Sequence, residues 1–403
     1  MDNKDIIKAS VLGFISSFEA TMILIAVPAI SGYFDISYFQ SSLLITIYVA
    51  IESLLFVPFS IFFGKYGLKF GMVLGGILIA TSGFSIFFSN NFLEVEFFRS
   101  MQAIGAAMVL PSSLAYASST GDDIHRGKAI GINHTIISLG YVLGLPAGGI
   151  IAIFNWKILF LLSSIVAIAG IISVLKISNI REKSSIGFSA FGPGLLLSGI
   201  VVILWNIYAG IIAIITGILL SLKSRLPSEY VKSSTGSFFH SITRNGFAAF
   251  LVFLYASLGY NTFHYSLLIL IFPLSFTFFS MAGGKFSDKF GRKYTSILGF
   301  SLMSVFSVLI FINIILAEIF LGIASGIATT SNTSYTMNSL TGENRITGSA
   351  LRTLQGTVSM SIGLTVAAII SVSYIKIIII IIVLNTISLL LVLFYNSQKM
   401  AQN

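Results

Sequence analysis

Long apolar runs separated by short polar gaps divide this chain almost from end to end. Six of them fall at roughly 8–30, 40–63, 70–89, 92–119, 127–153 and 157–177, and four equally clear ones at 294–313, 316–339, 347–371 and 374–396. Each is about the 20 residues that a helix rising 1.5 Å per residue needs to cross a hydrocarbon core of about 30 Å. In lipid every backbone N–H and C=O must be satisfied within the segment, so the runs predict helices. Residues 188–222 are harder to read: 35 mostly apolar residues exceed one ordinary span and barely make two, with a polar interruption at Trp205, Asn206 and Tyr208.

Basic residues settle the count. Lys176, Arg181 and Lys183 precede that stretch, Lys223, Arg225, Lys232 and Arg244 follow it, and Lys285, Lys289, Arg292 and Lys293 follow the next apolar block. If all three clusters are cytoplasmic, each block between them crosses an even number of times. The stretch 188–222 is then a tight hairpin, and 245–284 is two short helices turning near Gly259, Tyr260 and Asn261. The sum is 14 spans with both termini inside, and 20 of the 23 Lys and Arg are cytoplasmic, leaving Arg99 in the bilayer and Lys157 and Lys376 outside. The alternative is 12 full spans with the hairpin only partly inserted.

Composition agrees with an integral membrane protein. Hydrophobic residues make up 56% of the 403, charged residues 9%, and the mean hydropathy is +0.97. The net charge of +9 lies in the gaps between apolar runs, which makes it a topology signal and no sign of nucleic acid binding. With no cysteine there is no disulfide, thiolate metal site or thiol nucleophile. The first run starts after Lys4 and Lys8, but Glu19 in its middle and the lack of a small-residue cleavage site mark it as a retained helix.

Gly284 to Lys293 reads GKFSDKFGRK, and a worn copy, GKYGLKFG, stands 220 positions earlier at Gly64 to Gly71. The downstream copy fits G-x-x-x-D-[RK]-x-G-[RK]-[RK] throughout; the upstream one has Leu68 for the acid and Met72 and Val73 for the basic pair. This resembles the cytoplasmic loop motif of the major facilitator superfamily. The resemblance implies an all-α membrane fold of two pseudo-symmetric six-helix bundles, here with an extra two-helix hairpin between them. The expected division is 1–180 for the first bundle, 181–232 for the linker with its inserted hairpin, and 233–403 for the second. It also implies a gating role for the loops, through Gly64 and Gly71 upstream and Gly284, Asp288, Lys289, Gly291, Arg292 and Lys293 downstream.

Further residues narrow the branch. Arg99 to Leu114 reads RSMQAIGAAMVLPSSL, followed by RGKAIG at Arg126 to Gly131, GYVLGLPAGG at Gly140 to Gly149, Asn155-Trp156-Lys157, and AVPAI at Ala26 to Ile30. Together these resemble the 14-spanner drug:proton antiporters, whose two extra helices the hairpin would match. The antiporter-type motif is Gly140, Gly144, Pro146, Gly148 and Gly149, with its proline one position late. Gly140, Gly144 and Gly148 recur every fourth residue, a smooth helix face on which another backbone can slide or seal between the halves.

Ionisable residues inside the bilayer carry the functional weight, because a charge there survives only when it faces a cavity or a partner. Glu19 matches the family's helix-one acid and can exchange a proton as water access changes sides. Glu52 is one helical turn from Tyr48, which can hydrogen-bond it; it is a second proton site or a substrate counter-charge. Arg99 faces the same way as Gln102, and in the family the corresponding arginine aids proton transfer; a Glu96–Arg99 ion pair is the bland alternative. Arg352 can snorkel, His134 reads as a packing residue, and Glu318 as solvated.

No phosphate-binding loop occurs, so transport runs on an ion gradient or downhill. The expected function is proton-coupled antiport exporting lipophilic or cationic compounds by alternating access, with a small-molecule substrate and protons as partners, in the plasma membrane of a prokaryote. The protein is expected to act as a monomer, with no cofactor and no metal. The alternative is proton-coupled uptake of a small metabolite. A non-transporting sensor or an intramembrane enzyme is a weaker reading, since no H-E-x-x-H or G-x-S-x-G motif is present.

Overall fold

A computed structural model describes residues 3–120, 125–181, 187–205, 207–221, 226–260, 267–341, 344–370 and 373–393. The described residues are almost entirely helical and contain no strand. The first six helices are α1 (Asn3–Phe34), α2 (Tyr38–Tyr66), α3 (Leu68–Phe88), α4 (Phe92–Thr120), α5 (Arg126–Asn155) and α6 (Lys157–Leu175). The hairpin is α7 (Gly187–Trp205) and α8 (Ile207–Ser221). The second set is α9 (Ser228–Ser257), α10 (Ile271–Phe290), α11 (Arg292–Phe306) with its short continuation α12 (Leu309–Ile312), α13 (Ile314–Asn338), α14 (Arg345–Ile370) and α15 (Tyr374–Leu393).

Local chemistry sets several ends. Ser37 and Gln40 form a capping box at the start of α2, and Asn313 accepts from Ile315 N and Leu316 N to start α13. In each half the second and third helices are separated by a glycine at positive φ, Gly67 (119°) and Gly291 (92°). Among the described residues, eight helices are long and apolar enough to cross a membrane by length and composition. Several others fall short of that mark because they carry buried polar groups that only a neighbouring helix can satisfy, as in α4 and α9. At 15 residues α8 is about 22 Å long, less than the ~30 Å core.

The two sets pack as pseudo-equivalents. Helices α1 and α5 lie together in the first half, as α10 and α13 do in the second, and α3 packs on α6 as α11 packs on α15. Across the seam α5 meets α10 and α13, while α14 meets α2 and α4. The hairpin rests on α2 and α14 at that seam, where Ser198 donates to Ser53 O (2.8 Å) and Ala190 and Val201 join an apolar cluster with Phe56, Leu351 and Leu354.

One element departs from expectation. The 245–284 block does hold two helices, but they are longer than expected: α9 begins at Ser228, inside the stretch expected to be linker, and runs 30 residues, and α10 runs on to Phe290. Lys232 and Arg244 therefore lie in a helix and not in a loop. The polar run 228–244 is helical because tertiary partners satisfy it: Ser234 donates to Gln355 Oε1 (2.8 Å), Asn332 Nδ2 to Ser237 Oγ (2.8 Å), and His240 Nδ1 pairs with Asn385 Oδ1 (2.8 Å). The turn does fall at Leu258–Tyr260, with Gly259 at φ 79°; Asn261, like Asn206, Lys183, Lys223 and Arg225, is outside the described residues.

Candidate functional site

Four sequence-predicted residues from three helices of the first half meet in its interior. Glu19 (α1), Arg99 and Gln102 (α4) are each at most 1% exposed. Gln102 Nε2 donates to Glu19 Oε1 (3.0 Å), Arg99 Nη1 donates to Gln102 Oε1 (2.9 Å), and Arg99 Nη2 donates to the Glu19 backbone carbonyl (3.2 Å). Arg99 Nη1 lies 3.8 Å from Glu19 Oε2, and the guanidinium sits over the Tyr48 ring of α2 with its carbon 4.0 Å from the centroid. The carboxylate is thus held by a charge and an amide while Oε2 keeps no hydrogen bond. Glu96 lies away from Arg99, lining an outer groove with Ile47, Leu93 and Phe97, so the Glu96–Arg99 pair does not form.

The expected Tyr48–Glu52 hydrogen bond is absent. Tyr48 Oη is buried without a partner because its ring is committed to Arg99. Glu52 is 5% exposed, within electrostatic reach of Arg99 and of Tyr141 on α5. Helical spacing put the two on one face; the demand of Arg99 for a ring decided what Tyr48 does there.

The loop at 284–293 closes one end of the seam. Asp288, at the end of α10, accepts from the backbone N–H of Gly127 (2.9 Å) and Lys128 (2.8 Å) at the start of α5, and from Arg292 Nη2 at 3.3 Å. A methyl on Gly127 would collide with Asp288, Ser287 and the Gly284 carbonyl, and one on Gly284 with the Gly127 carbonyl. At the same end Arg126 Nη1 donates to Asn338 Oδ1, and Thr135 Oγ1 donates to the Thr277 carbonyl (3.3 Å). Lys289 is exposed, and Lys293 Nζ reaches the Leu393 carbonyl at the end of α15 (3.4 Å).

The upstream copy needs a new register. The turn glycine equivalent to Gly291 is Gly67, not Gly71, so the copies are offset by four residues from their sequence alignment. Gly64 then stands where Asp288 stands, Lys65 where Lys289 stands, and Lys69 where Lys293 stands. Lys69 confirms the pairing: its Nζ bonds the Leu175 (2.6 Å) and Ile177 (3.0 Å) carbonyls at the end of α6, as Lys293 does on α15. Gly71 lies within α3, packed on Phe63, and Leu68 is fully buried in the core. The letters misled because GK and FG recur by chance four residues out of phase.

The glycine ladder also serves another purpose than expected. Gly140, Gly144 and Gly148 abut the backbone of α1 at Phe14, Phe18 and Met22, so the ladder fuses two helices of one half and does not slide between halves. Pro146 sits within α5 beside it, and Gly149 is in the same helix. Spacing announced a close approach but could not name the partner.

Three further residues escaped the sequence reading. Glu318 is fully buried and accepts a hydrogen bond from Tyr255, where a solvated position was expected. Lys157 is only 8% exposed and donates to Ser89 O (2.7 Å) and Tyr33 Oη (3.1 Å). Arg352 is 5% exposed and does not snorkel. Among the described residues no cluster of His, Asp or Glu could hold a metal ion.

Two helical bundles with a buried charge network and an interdigitated loop at the seam define a multi-pass membrane transporter fold. The chain belongs to the Major Facilitator Superfamily, whose sequence profile matches residues 9–228 and 233–402. It is 28% identical over 227 residues to the riboflavin transporter RibZ of Clostridioides difficile (strain 630), covering 52% of this chain and 48% of that one. It is 24% identical over 329 residues to the multidrug transporter MdtP of Bacillus subtilis (strain 168), covering 72% and 59%. The chain spans about half the length of these curated relatives. In structure it resembles the human organic anion transporter MFSD10 (TM-score 0.71, 14% identity, 98% and 99% coverage) and the proton:xylose symporter XylE (0.69, 15%, 97% and 94%).

Proposed function

We propose that this protein is a proton-coupled antiporter that exports lipophilic compounds, cationic ones among them, across the plasma membrane of a prokaryote by rocking of its two bundles. The observation that carries the reading is the Glu19–Arg99–Gln102 network. It is a carboxylate with one oxygen free of hydrogen bonds, held by an arginine on another helix. Protonating Glu19 removes the attraction between α1 and α4 at that point, which links proton occupancy to helix position. With both termini and the 284–293 loop in the cytoplasm, the contacts of Asp288 seal the cytoplasmic side. Substrate entry from that side then requires their rupture. The multidrug transporter among the relatives supports a drug-like cargo.

The riboflavin transporter among the relatives favours a second reading, uptake of a small metabolite. Purified protein in liposomes under an imposed pH gradient separates the two. Export predicts ethidium movement opposite to the proton flux; uptake predicts riboflavin movement with it. Transport of either compound that ignores the pH gradient would remove proton coupling from both.

A further inference from the structure

Two arginines of the second half have no acidic partner among the described residues. Arg244 is the seventeenth residue of the 30 in α9, roughly 24 Å along it at 1.5 Å per residue, and is half-buried. Its contacts are a long hydrogen bond to Asn245 Oδ1 (3.4 Å) and the Phe276 ring of α10 (5.1 Å from the centroid). Arg352 on α14 is 5% exposed, and its Nε is buried with no hydrogen-bond partner. The two interact electrostatically with each other and with His134 on α5, whose Nε2 is likewise buried and unpartnered. Tyr141, two turns further along α5, lies in the field of Arg244. No carboxylate of the described residues forms an ion pair with either arginine; Glu19 lies 3.8 Å from Arg99, and Glu52 is within electrostatic reach of Arg99.

A guanidinium cannot shed its proton in a protein, so neither arginine can relieve this repulsion by titrating. Like charges set near each other, one of them buried and the other half-buried, without a counter-ion are costly, and such residues persist where something supplies the missing charge. The two arginines come from α9 and α14 of one half, and the imidazole within their electrostatic reach comes from α5 of the other. A ligand seated among them would bridge the seam that rocking opens.

We propose that Arg244 and Arg352, with His134 nearby, form a subsite for an anionic group of the transported molecule, a carboxylate, sulfonate or phosphate. The subsite rests on the transporter reading and adds to it: Glu52 offers a counter-charge for a cation in the first half, so an amphiphile carrying both charges matches the interior best. Bidentate recognition by arginine suits a planar or tetrahedral oxyanion and gives the two arginines distinct work from a point charge.

The test is an equilibrium one, independent of whether transport is coupled to protons. Ligand-induced thermal stabilisation of the purified protein in gluconate buffer is measured with naphthalene-2-sulfonate and with naphthalene-2-sulfonamide, which share a ring system and differ in charge. The wild-type protein should bind the sulfonate about tenfold or more tightly than the sulfonamide, as expected for charge-assisted hydrogen bonds. Arg244→Gln and Arg352→Gln should each cut the preference, and the double variant should abolish it, while Arg352→Lys keeps part of it. Equal binding of the two probes by the wild type overturns the subsite, as does a preference that survives in the double variant. If the double variant does not fold, the two single variants decide. A sulfonate preference together with transport that ignores the pH gradient would leave the subsite standing and remove proton coupling alone.

Discussion

The two halves share a scaffold and differ in their chemistry. In the first, one acid, one arginine and one amide satisfy each other across α1 and α4, all essentially inaccessible. In the second, the arginines of α9 and α14 stand without a carboxylate among the described residues, and the acid of α13, Glu318, is bonded to Tyr255 instead. The loops invert the pattern. The second-half loop has an Asp288 that grips the start of α5, whereas the matching position of the first half is Gly64 and has no carboxylate to give. Duplication preserved what packing requires, such as the turn glycines Gly67 and Gly291 and the lysines that cap α6 and α15. The charges differ between the halves where packing does not depend on them.

The largest expected effect tests the paired half. Glu19→Gln keeps the shape and removes the titratable proton, so gradient-driven transport in liposomes should be abolished while the protein still inserts; full transport would sink the proton-site assignment. Glu19→Asp should retain much of the activity.

Arg99→Gln should come next. It strands a buried carboxylate, and breaking a buried pair from one side costs about 3–5 kcal/mol. Thermal unfolding in detergent should show a large drop that a second change, Glu19→Gln, partly restores; a drop equal in the double variant would mean that Arg99 acts through packing on Tyr48 alone.

The loops predict smaller shifts. Asp288→Asn weakens the charge placed at the start of α5, an interaction of up to about 2 kcal/mol when partly buried, and should open the 284–293 end by up to about tenfold. Gly64→Asp places a carboxylate at the matching position near α14 and should shift the balance the other way by a few-fold. Labelling of single cysteines introduced at the two ends reads both changes, on a background that has no cysteine of its own. Unaltered labelling in both variants would reduce the motif to a topology signal.

Glu52→Gln should weaken binding of cationic probes several-fold more than neutral ones, since it removes about one charge at constant shape. Equal effects on both would assign Glu52 a structural role. Tyr48→Phe should do least, about 0.5 kcal/mol or less in stability, because its hydroxyl has no partner while its ring stays over Arg99.

Hydropathy and motif chemistry fixed much of this protein in advance. Apolar runs long enough for the bilayer have no alternative to helix, and a single buried acid such as Glu19 is conspicuous in such a run. The motif at 284–293 located Asp288, and helical spacing grouped Arg99 with Gln102. Tertiary structure alone decided the partners. A helical periodicity tells which residues share a face and not what that face meets, so the ladder of Gly140, Gly144 and Gly148 could not be assigned to α1. Polarity in the segment 228–244 imitated a loop because its hydrogen-bond partners lie more than ninety residues away in α13, α14 and α15. Arg244 was counted with the loop charges for the same reason: a charge reads as solvated until the fold shows that its surroundings are protein.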